Sequence, residues 1–449
     1  MSIDIRQDLV SAAHVMVVGC GALGNEVLKN LVLMGVTHIV AVDFDIVEMG
    51  NLTRSVLFTR SDAERKRTKV EVVAERVHDM NPNINIQTIC GDIAYDVGLG
   101  LIRQMDVVIG CVDSRWARFC INRYCMRAGI PWVDGGIDGL EGTVRVFAPG
   151  KNCYACNLGP EGLKDLARRM PCSGIIRRQE QRGSAPTTSI IASIIGAIEV
   201  QEALKIMHNE ECIMHNNNEE CIMHNNNEEC IMHNNNEECI MHNNKREMTT
   251  LCGKMMYYDG EHVTVRIADF QAYDEECPEH ETWAPVHQTE VSRDMTVAKA
   301  LALLREGDKE SEELRVKSEE LRVKSEELRV KSEELQEVQN IAICLTNDCF
   351  VDYVVRRDTD ERMAVMVPGR MVADKVAHEK ALDGQPLSGL YQHEYHRVDA
   401  SFPYPSLTLA QLGIPQQDIV RVTVDGEDYY LELSHGATRN DTEEEIDTE

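Results

Sequence analysis

Over roughly the first two hundred residues, short apolar runs rich in β-branched side chains alternate with stretches of helical spacing. The runs are VMVVG, HIVAVD, INIQTIC, DVVIGCVD and PWVDGG. The helical stretches extend to Met34, from near Thr68 to Met80, and from Arg115 to Ala128. Such alternation predicts an α/β fold with a doubly wound, Rossmann-like parallel sheet. Further on, NIAICLT, CFVDYVV and RMAVMV read as strands, Leu407 to Leu412 as a helical turn, and DIVRVTVDGEDYYLELS as a hairpin around Asp425-Gly426. The expected organisation is a domain over 1–285, a helical linker over 286–337, a smaller α+β domain over 338–436 that would dock a partner, and an acidic disordered tail over 437–449.

Two repeats interrupt the pattern. From Glu210 to about Asn244 the unit Glu-Glu-Cys-Ile-Met-His plus three Asn recurs every nine residues, a period foreign to helices and known solenoids. Asn triplets disfavour helix, so 208–247 reads as an expanded loop, with metal scavenging by its Cys-x-x-His steps as the alternative. From Ser311 to about Leu335, Ser-Glu-Glu-Leu-Arg-Val-Lys recurs every seven residues. Its Leu and Val do not form an a/d seam, whereas Glu313 and Lys317 are i,i+4 partners; a solvated, semi-rigid spacer helix is expected.

The chemistry concentrates where strands end. After VMVVG the chain continues through Gly19, Gly21 and Gly24 into a helical pattern, which suits a sharp turn, close backbone approach to phosphate, and tight helix–sheet packing. A turn with no ligand would share this spacing. Asp43, about twenty residues on, ends the next strand where an acidic group meets a ribose hydroxyl in such folds. A nicotinamide oxidoreductase would look the same to this point. The following residues change the reading: Asp45, Asn51, Arg54, Lys69, then Asp113 with Arg118 and Asn122. Cations, an amide and a carboxylate around one phosphate loop suit ATP with magnesium, Lys and Arg neutralising the leaving pyrophosphate and Asp113 holding the metal.

Here the chain resembles the ThiF, MoeB and HesA superfamily, which includes the ubiquitin-activating enzymes. The resemblance rests on GCGALGNEVLKNLVLMGVTHIVAVDFDIVEMGNLTR, RTKVEVVAERV, GCVDSRWARFCINR, GTVRVFAPGKNCYAC and PTTSIIASIIGAIEVQEALKIM. It implies adenylyl transfer: Asp43 on the ribose, Asn51, Arg54 and Lys69 on the triphosphate, and Asp113 on magnesium beside the α-phosphate. Gly50 and Ser55 depart from the family's common Ser and Gln. No Arg-Tyr-Ser-Arg-type segment precedes the first strand, and Arg6 is a poor substitute, so a partner chain would supply it.

Cys153 and Cys156, with Cys277 and His280, have the spacing of a closed structural zinc site, which would pin the return of the chain. Unrelated thiols are the alternative. Cys172 stands in Met-Pro-Cys-Ser-Gly among Arg168, Arg169, Arg177, Arg178 and Arg182, cations that favour a thiolate. It resembles the Pro-rich cysteine segment of activating-enzyme catalytic subunits, which implies a thioester step; a passive loop thiol is the other reading. Cys20, Cys90, Cys111, Cys120 and Cys125 are expected to be buried hydrophobes.

Composition narrows the class. The chain has 449 residues, 16 cysteines and a formal charge of −29. No block of Lys and Arg could hold a nucleic-acid backbone, and no run could span a bilayer. With no signal peptide, reduced thiols and a cytoplasmic location are expected. The leading expectation is an enzyme that adenylates the C-terminal glycine of a ubiquitin-like β-grasp protein and captures it on Cys172. A sulfur-carrier adenylyltransferase without the thioester is the runner-up, and a non-catalytic nucleotide-binding scaffold is the reading from another class. Expected partners are the carrier, a conjugating enzyme or sulfur donor, and a second chain completing a homodimer or heterodimer.

Overall fold

The computed structural model describes residues 6–159, 162, 187–209, 248–271, 273–307, 340–345, 350–356, 362–368, 392–395 and 397–434. Cys172 with its arginines, both repeat tracts and the acidic tail lie outside the described residues.

The N-terminal unit runs α1 (Gln7–Ala12), β1 (His14–Val18), α2 (Ala22–Met34), β2 (His38–Val42), α3 (Arg60–Glu64), α4 (Lys69–Met80), β3 (Asn85–Ile89), α5 (Leu99–Arg103), β4 (Val107–Gly110), α6 (Arg115–Ala128), β5 (Trp132–Asp138), β6 (Glu141–Phe147), α7 (Ser189–Asn209), β7 (Lys254–Asp259) and β8 (Thr264–Asp269). Its eight strands lie in the order β3-β2-β1-β4-β5-β6-β7-β8. The first five pair in parallel, and β6 to β8 return antiparallel. The expected doubly wound sheet is therefore present, with its topological switch between β1 and β4, where such sheets bind ligands.

The period of a strand divides the core into two layers. Val15 and Val17 of β1 pack with α2, α4 and α7, while Met16 and Val18 pack with α5 and α6. Each such fully buried side chain contributes about 1.5–3 kcal/mol. The α4 start is fixed locally: Thr68 and Glu71 form a reciprocal capping box, which sets Lys69 as the first helical residue.

The second unit contains β9 (Val286–Ser292), α8 (Val297–Gly307), β10 (Ile341–Cys344), β11 (Phe350–Arg356), β12 (Arg362–Pro368), β13 (Gln392–Tyr395), β14 (Arg397–Val398), β15 (Ile419–Val424) and β16 (Glu427–Ser434). Five strands order as β14-β10-β15-β16-β9, and a separate sheet as β12-β11-β13. The expected hairpin forms, with Asp425 and Gly426 both at positive φ, as a tight two-residue turn demands.

The linker over 286–337 is corrected at its start. Val286–Ser292 pairs in parallel with β16, and Val291, Val297 and Leu301 share a core with Ile341, Ile343 and Val422. Residues 286–307 thus belong to the second unit. Among the described residues, no helix is long and apolar enough to cross a membrane.

Candidate functional site

At the carboxyl end of β1 the three glycines take different parts. Gly19 has a φ of +93°, and a Cβ there would lie 2.5 Å from the Cys111 carbonyl oxygen; on Gly24 it would lie 1.9 Å from the Gly19 carbonyl oxygen. Both are demanded by packing. At Gly21, the residue preceding α2, nothing lies within 4 Å of a Cβ position. That open backbone is where an anion can approach a helix start.

Asp43 braces this loop. One carboxylate oxygen accepts the Cys20 N–H at 2.7 Å, the other the Asp45 N–H at 2.8 Å. Lys69 Nζ stands 2.7 Å from Asp45 Oδ2 and 3.8 Å from Asp43 Oδ2. Burial pulls the Lys69 pKa down, but the two carboxylates outweigh it and the net shift is upward. Burial raises Asp43, and Lys69 only partly offsets it. A cation is therefore held beside the glycine loop.

Asn51 and Arg54 sit on and just after a 3-10 turn, Met49–Thr53. Asn51 Oδ1 accepts the Glu48 N–H at 2.9 Å, and Arg54 donates to the Gly50 carbonyl at 3.2 Å. The turn is tied to the glycine loop by Asn25, which is fully buried. Its amide donates to the carbonyls of Cys20 and Gly21 at 2.8 and 2.9 Å, and its Oδ1 accepts the Leu57 N–H at 2.9 Å. Asn25 escaped the sequence reading, although an amide four residues past Gly21 was a signal. Asp113 is exposed at the carboxyl end of β4, one residue before Ser114, whose hydroxyl caps α6. Gly19, Gly21, Asp43 and Asp113 thus lie at the ends of β1, β2 and β4, with Lys69 bonded to Asp45 beside them and Asn51 and Arg54 on the turn that follows β2.

Beyond Asp113 lies a cavity of about 500 Å³ lined by Arg115, Arg118, Arg145, Tyr154 and Asn157 among others. Asp134, wholly buried, lies between two guanidiniums: Arg118 Nε at 2.8 Å from one oxygen, Arg145 Nε at 2.8 Å from the other. Among the described residues, Asp134 and Asp113 both act on Arg118, and three arginines line this cavity. Behind it, Glu199 of α7 is fully buried, with Oε2 lacking a hydrogen-bond partner. Burial, reinforced by Asp134, raises its pKa well above that of an ordinary carboxyl. Arg118 was visible in sequence; Asp134, Arg145, Tyr154 and Glu199 were not, because they come from three distant segments.

The Cys/His expectation converges in space. The ligand atoms of Cys153, Cys156, Cys277 and His280 lie within 4.8 Å of one another. Cys153 Sγ is 3.7 Å from Cys156 Sγ and 3.9 Å from Cys277 Sγ, and Cys156 Sγ is 3.2 Å from His280 Nε2. A tetrahedron of Zn–S bonds near 2.3 Å has edges of about 3.8 Å, so the donor set fits such an ion. Burial raises the Cys153 and Cys277 thiols; the Cys156 backbone N–H partly offsets this at Cys153, and the Cys156 thiol adds to it at Cys277. A divalent cation reverses that balance and releases protons. Arg123 holds the loop by a two-pronged bond to Glu279 at 2.8 and 2.7 Å.

Of the cysteines expected to be buried, Cys20, Cys111, Cys120 and Cys125 are, and Cys90 is exposed. Cys90 follows β3, the sheet's outer strand, most of whose side chains face water.

A profile of the ThiF family matches residues 3–241. The SUMO-activating enzyme subunit 2 of Dictyostelium discoideum is 33% identical over 151 residues, 33% of this chain and 22% of the relative. The molybdopterin-synthase adenylyltransferase of Haemophilus influenzae is 30% identical over 202 residues, 44% of this chain and 76% of the relative. The SAMP-activating enzyme E1 of Haloferax volcanii is 29% identical over 204 residues, 45% and 70%. The chain thus spans about a fifth of the length of the first of these relatives. Among solved structures, Escherichia coli MccB with MccA matches at a TM-score of 0.43 and 19% identity, covering 61% of this chain and 68% of that one.

Proposed function

The chain belongs to the ThiF family, and from that premise we propose that it adenylates the C-terminal carboxylate of a ubiquitin-like or sulfur-carrier β-grasp protein. The observation that carries this reading is the pairing of two sites across the β1–β4 switch. On one side a brace of Asp43, Asp45 and Lys69 secures an open glycine loop; on the other lies a cavity lined by three arginines beside Asp113. The first suits a nucleotide triphosphate, the second a carboxylate-ended peptide.

In the proposed reaction a carboxylate oxygen of the carrier attacks the α-phosphorus of ATP. The bond to the bridging oxygen breaks, and pyrophosphate leaves. Asp43 would bind the ribose, while Asn51, Arg54 and Lys69 would orient the triphosphate and neutralise the charge that develops on pyrophosphate. Lys69 is kept protonated for this by the carboxylates around it. Magnesium, held by Asp113, would supply charge neutralisation at the phosphates. Arg115, Arg118 and Arg145 would hold the incoming carboxylate.

Cys172 is proposed to take the acyl group next: its thiolate attacks the carbonyl carbon, AMP leaves, and a thioester forms. The sulfur-carrier reading ends at the adenylate, or passes it to a sulfur donor. Zinc at Cys153, Cys156, Cys277 and His280, a cytoplasmic location and assembly with a second chain complete the proposal. The test is intact mass and non-reducing gels after incubation with ATP, magnesium and a carrier ending in Gly-Gly. An AMP-bearing carrier supports the first step, and a thiol-labile adduct lost in Cys172→Ala supports the second. A carrier that stays unmodified contradicts both.

A further inference from the structure

The two units meet along the segment that leads into α5. Gly98 and Gly100 leave room there for the backbone of residues 416–417. A Cβ on Gly98 would lie 2.3 Å from the Gln416 carbonyl oxygen, and one on Gly100 would lie 2.6 Å from that of Gln417. Gln417 takes a φ of +55°, a conformation that side chains other than glycine seldom adopt. The turn delivers Asp418 into the contact. Its Oδ1 accepts the Leu99 N–H at 2.9 Å across 319 residues, and its backbone carbonyl accepts the Leu433 N–H at 2.9 Å. Oδ2 has no hydrogen-bond partner among the described residues, and the residue is 1% exposed. Ile419, next in the chain, packs into the core of the N-terminal unit.

An ionised carboxylate has about four acceptor sites, and few are used here. The charged and titratable groups around it give little relief. Among the described residues Arg127 on α6 is the cation that acts on it, and its guanidinium lies over Trp283 at 4.6 Å. Tyr124, also on α6, commits its hydroxyl to the Ala94 carbonyl at 2.7 Å. Glu432 on β16 leans towards Gly100 and stands 3.8 Å from Arg103 on α5. Burial therefore outweighs the Leu99 and Ile419 N–H groups and Arg127, and Asp418 is pushed up to about 7.

We propose that Asp418 is a proton-sensitive latch between the two units: with its proton it holds the C-terminal unit against α5 and α6, and without it the buried charge loosens that contact. The same α6 carries Arg115 and Arg118, and through Arg123 it anchors the Cys/His cluster.

The sign follows from linkage. The docked carboxyl binds its proton more tightly than an undocked one, whose ordinary pKa is 3.8. Docking is strongest in acid, weakens about tenfold per pH unit up to about 7, and is level above that. Hydrogen exchange of the full chain, corrected for intrinsic rates, reads this in peptides covering 97–103 and 416–422. From pH 5.5 to 6.5 their opening should rise about tenfold, then level off above 7.5, while a peptide covering β4 stays constant. In Asp418→Asn the opening should not vary with pH. Opening independent of pH in the wild type, or the wild-type profile retained in Asp418→Asn, overturns the latch. Should the Asn variant fail to fold, carbon-13 carboxyl titration of aspartate-labelled wild type decides. One carboxyl titrating near pH 7 supports the latch, and none above the ordinary range refutes it.

Discussion

Replacing Asp134 by Asn keeps the shape of the side chain and removes the anion that lies between two guanidiniums. Asp134 is 0% exposed, and the side chains of Arg118 and Arg145 are 13% and 20% exposed, so water makes up only part of the lost charge. Breaking a buried pair from one side costs about 3–5 kcal/mol, because the partner charges stay behind uncompensated. At about 2–4 °C per kcal/mol for a unit of this size, Tm falls by roughly 6–20 °C. Arg145→Met should cost less, about 1–2 kcal/mol, since Arg118 still pairs with the carboxylate. Combining Asp134→Leu with Arg118→Met and Arg145→Met should recover most of the loss, as no buried charge remains. Urea unfolding followed by near-ultraviolet circular dichroism measures all three. A loss below about 1 kcal/mol in Asp134→Asn, or strict additivity across the set, would refute the reasoning.

The glycine loop separates folding from binding. Gly24→Ala drives a Cβ to 1.9 Å from backbone and should cost about 1–3 kcal/mol or more, whereas Gly21→Ala meets open space and should leave Tm within about 1 °C while weakening ATP binding over tenfold by calorimetry. Purified protein should carry one zinc per chain by mass spectrometry of the metal. Cys156→Ser or a chelator should remove it and lower Tm by several degrees; a metal-free wild type of unchanged Tm would contradict the site.

Local chemistry was legible in the sequence wherever neighbours along the chain decide it. Thr68 and Glu71 cap α4, Asp425-Gly426 turns the last hairpin, and the spacing of Gly19, Gly21 and Gly24 foretold a loop in which only Gly21 faces open space. What stayed hidden depends on distant partners. Val286–Ser292 reads as polar linker until β16, over 140 residues on, pairs with it. Asp134 reads as one more strand-end carboxylate until α6 and β6 bring arginines to both its oxygens. Cys90 looked like a strand hydrophobe because the pattern cannot tell an outer strand from a central one. Asp418 looked like a hairpin's leading charge, and only the docking of two units makes it buried.

The most direct measurement is ATP–pyrophosphate exchange with a panel of β-grasp carriers ending in Gly-Gly, comparing wild type with Lys69→Ala, Asp113→Ala and Cys172→Ala. Carrier-dependent exchange should fall by about 100-fold or more in Lys69→Ala and Asp113→Ala and persist in Cys172→Ala. Absence of exchange with every carrier, or exchange indifferent to Lys69 and Asp113, would contradict adenylyl transfer at this site.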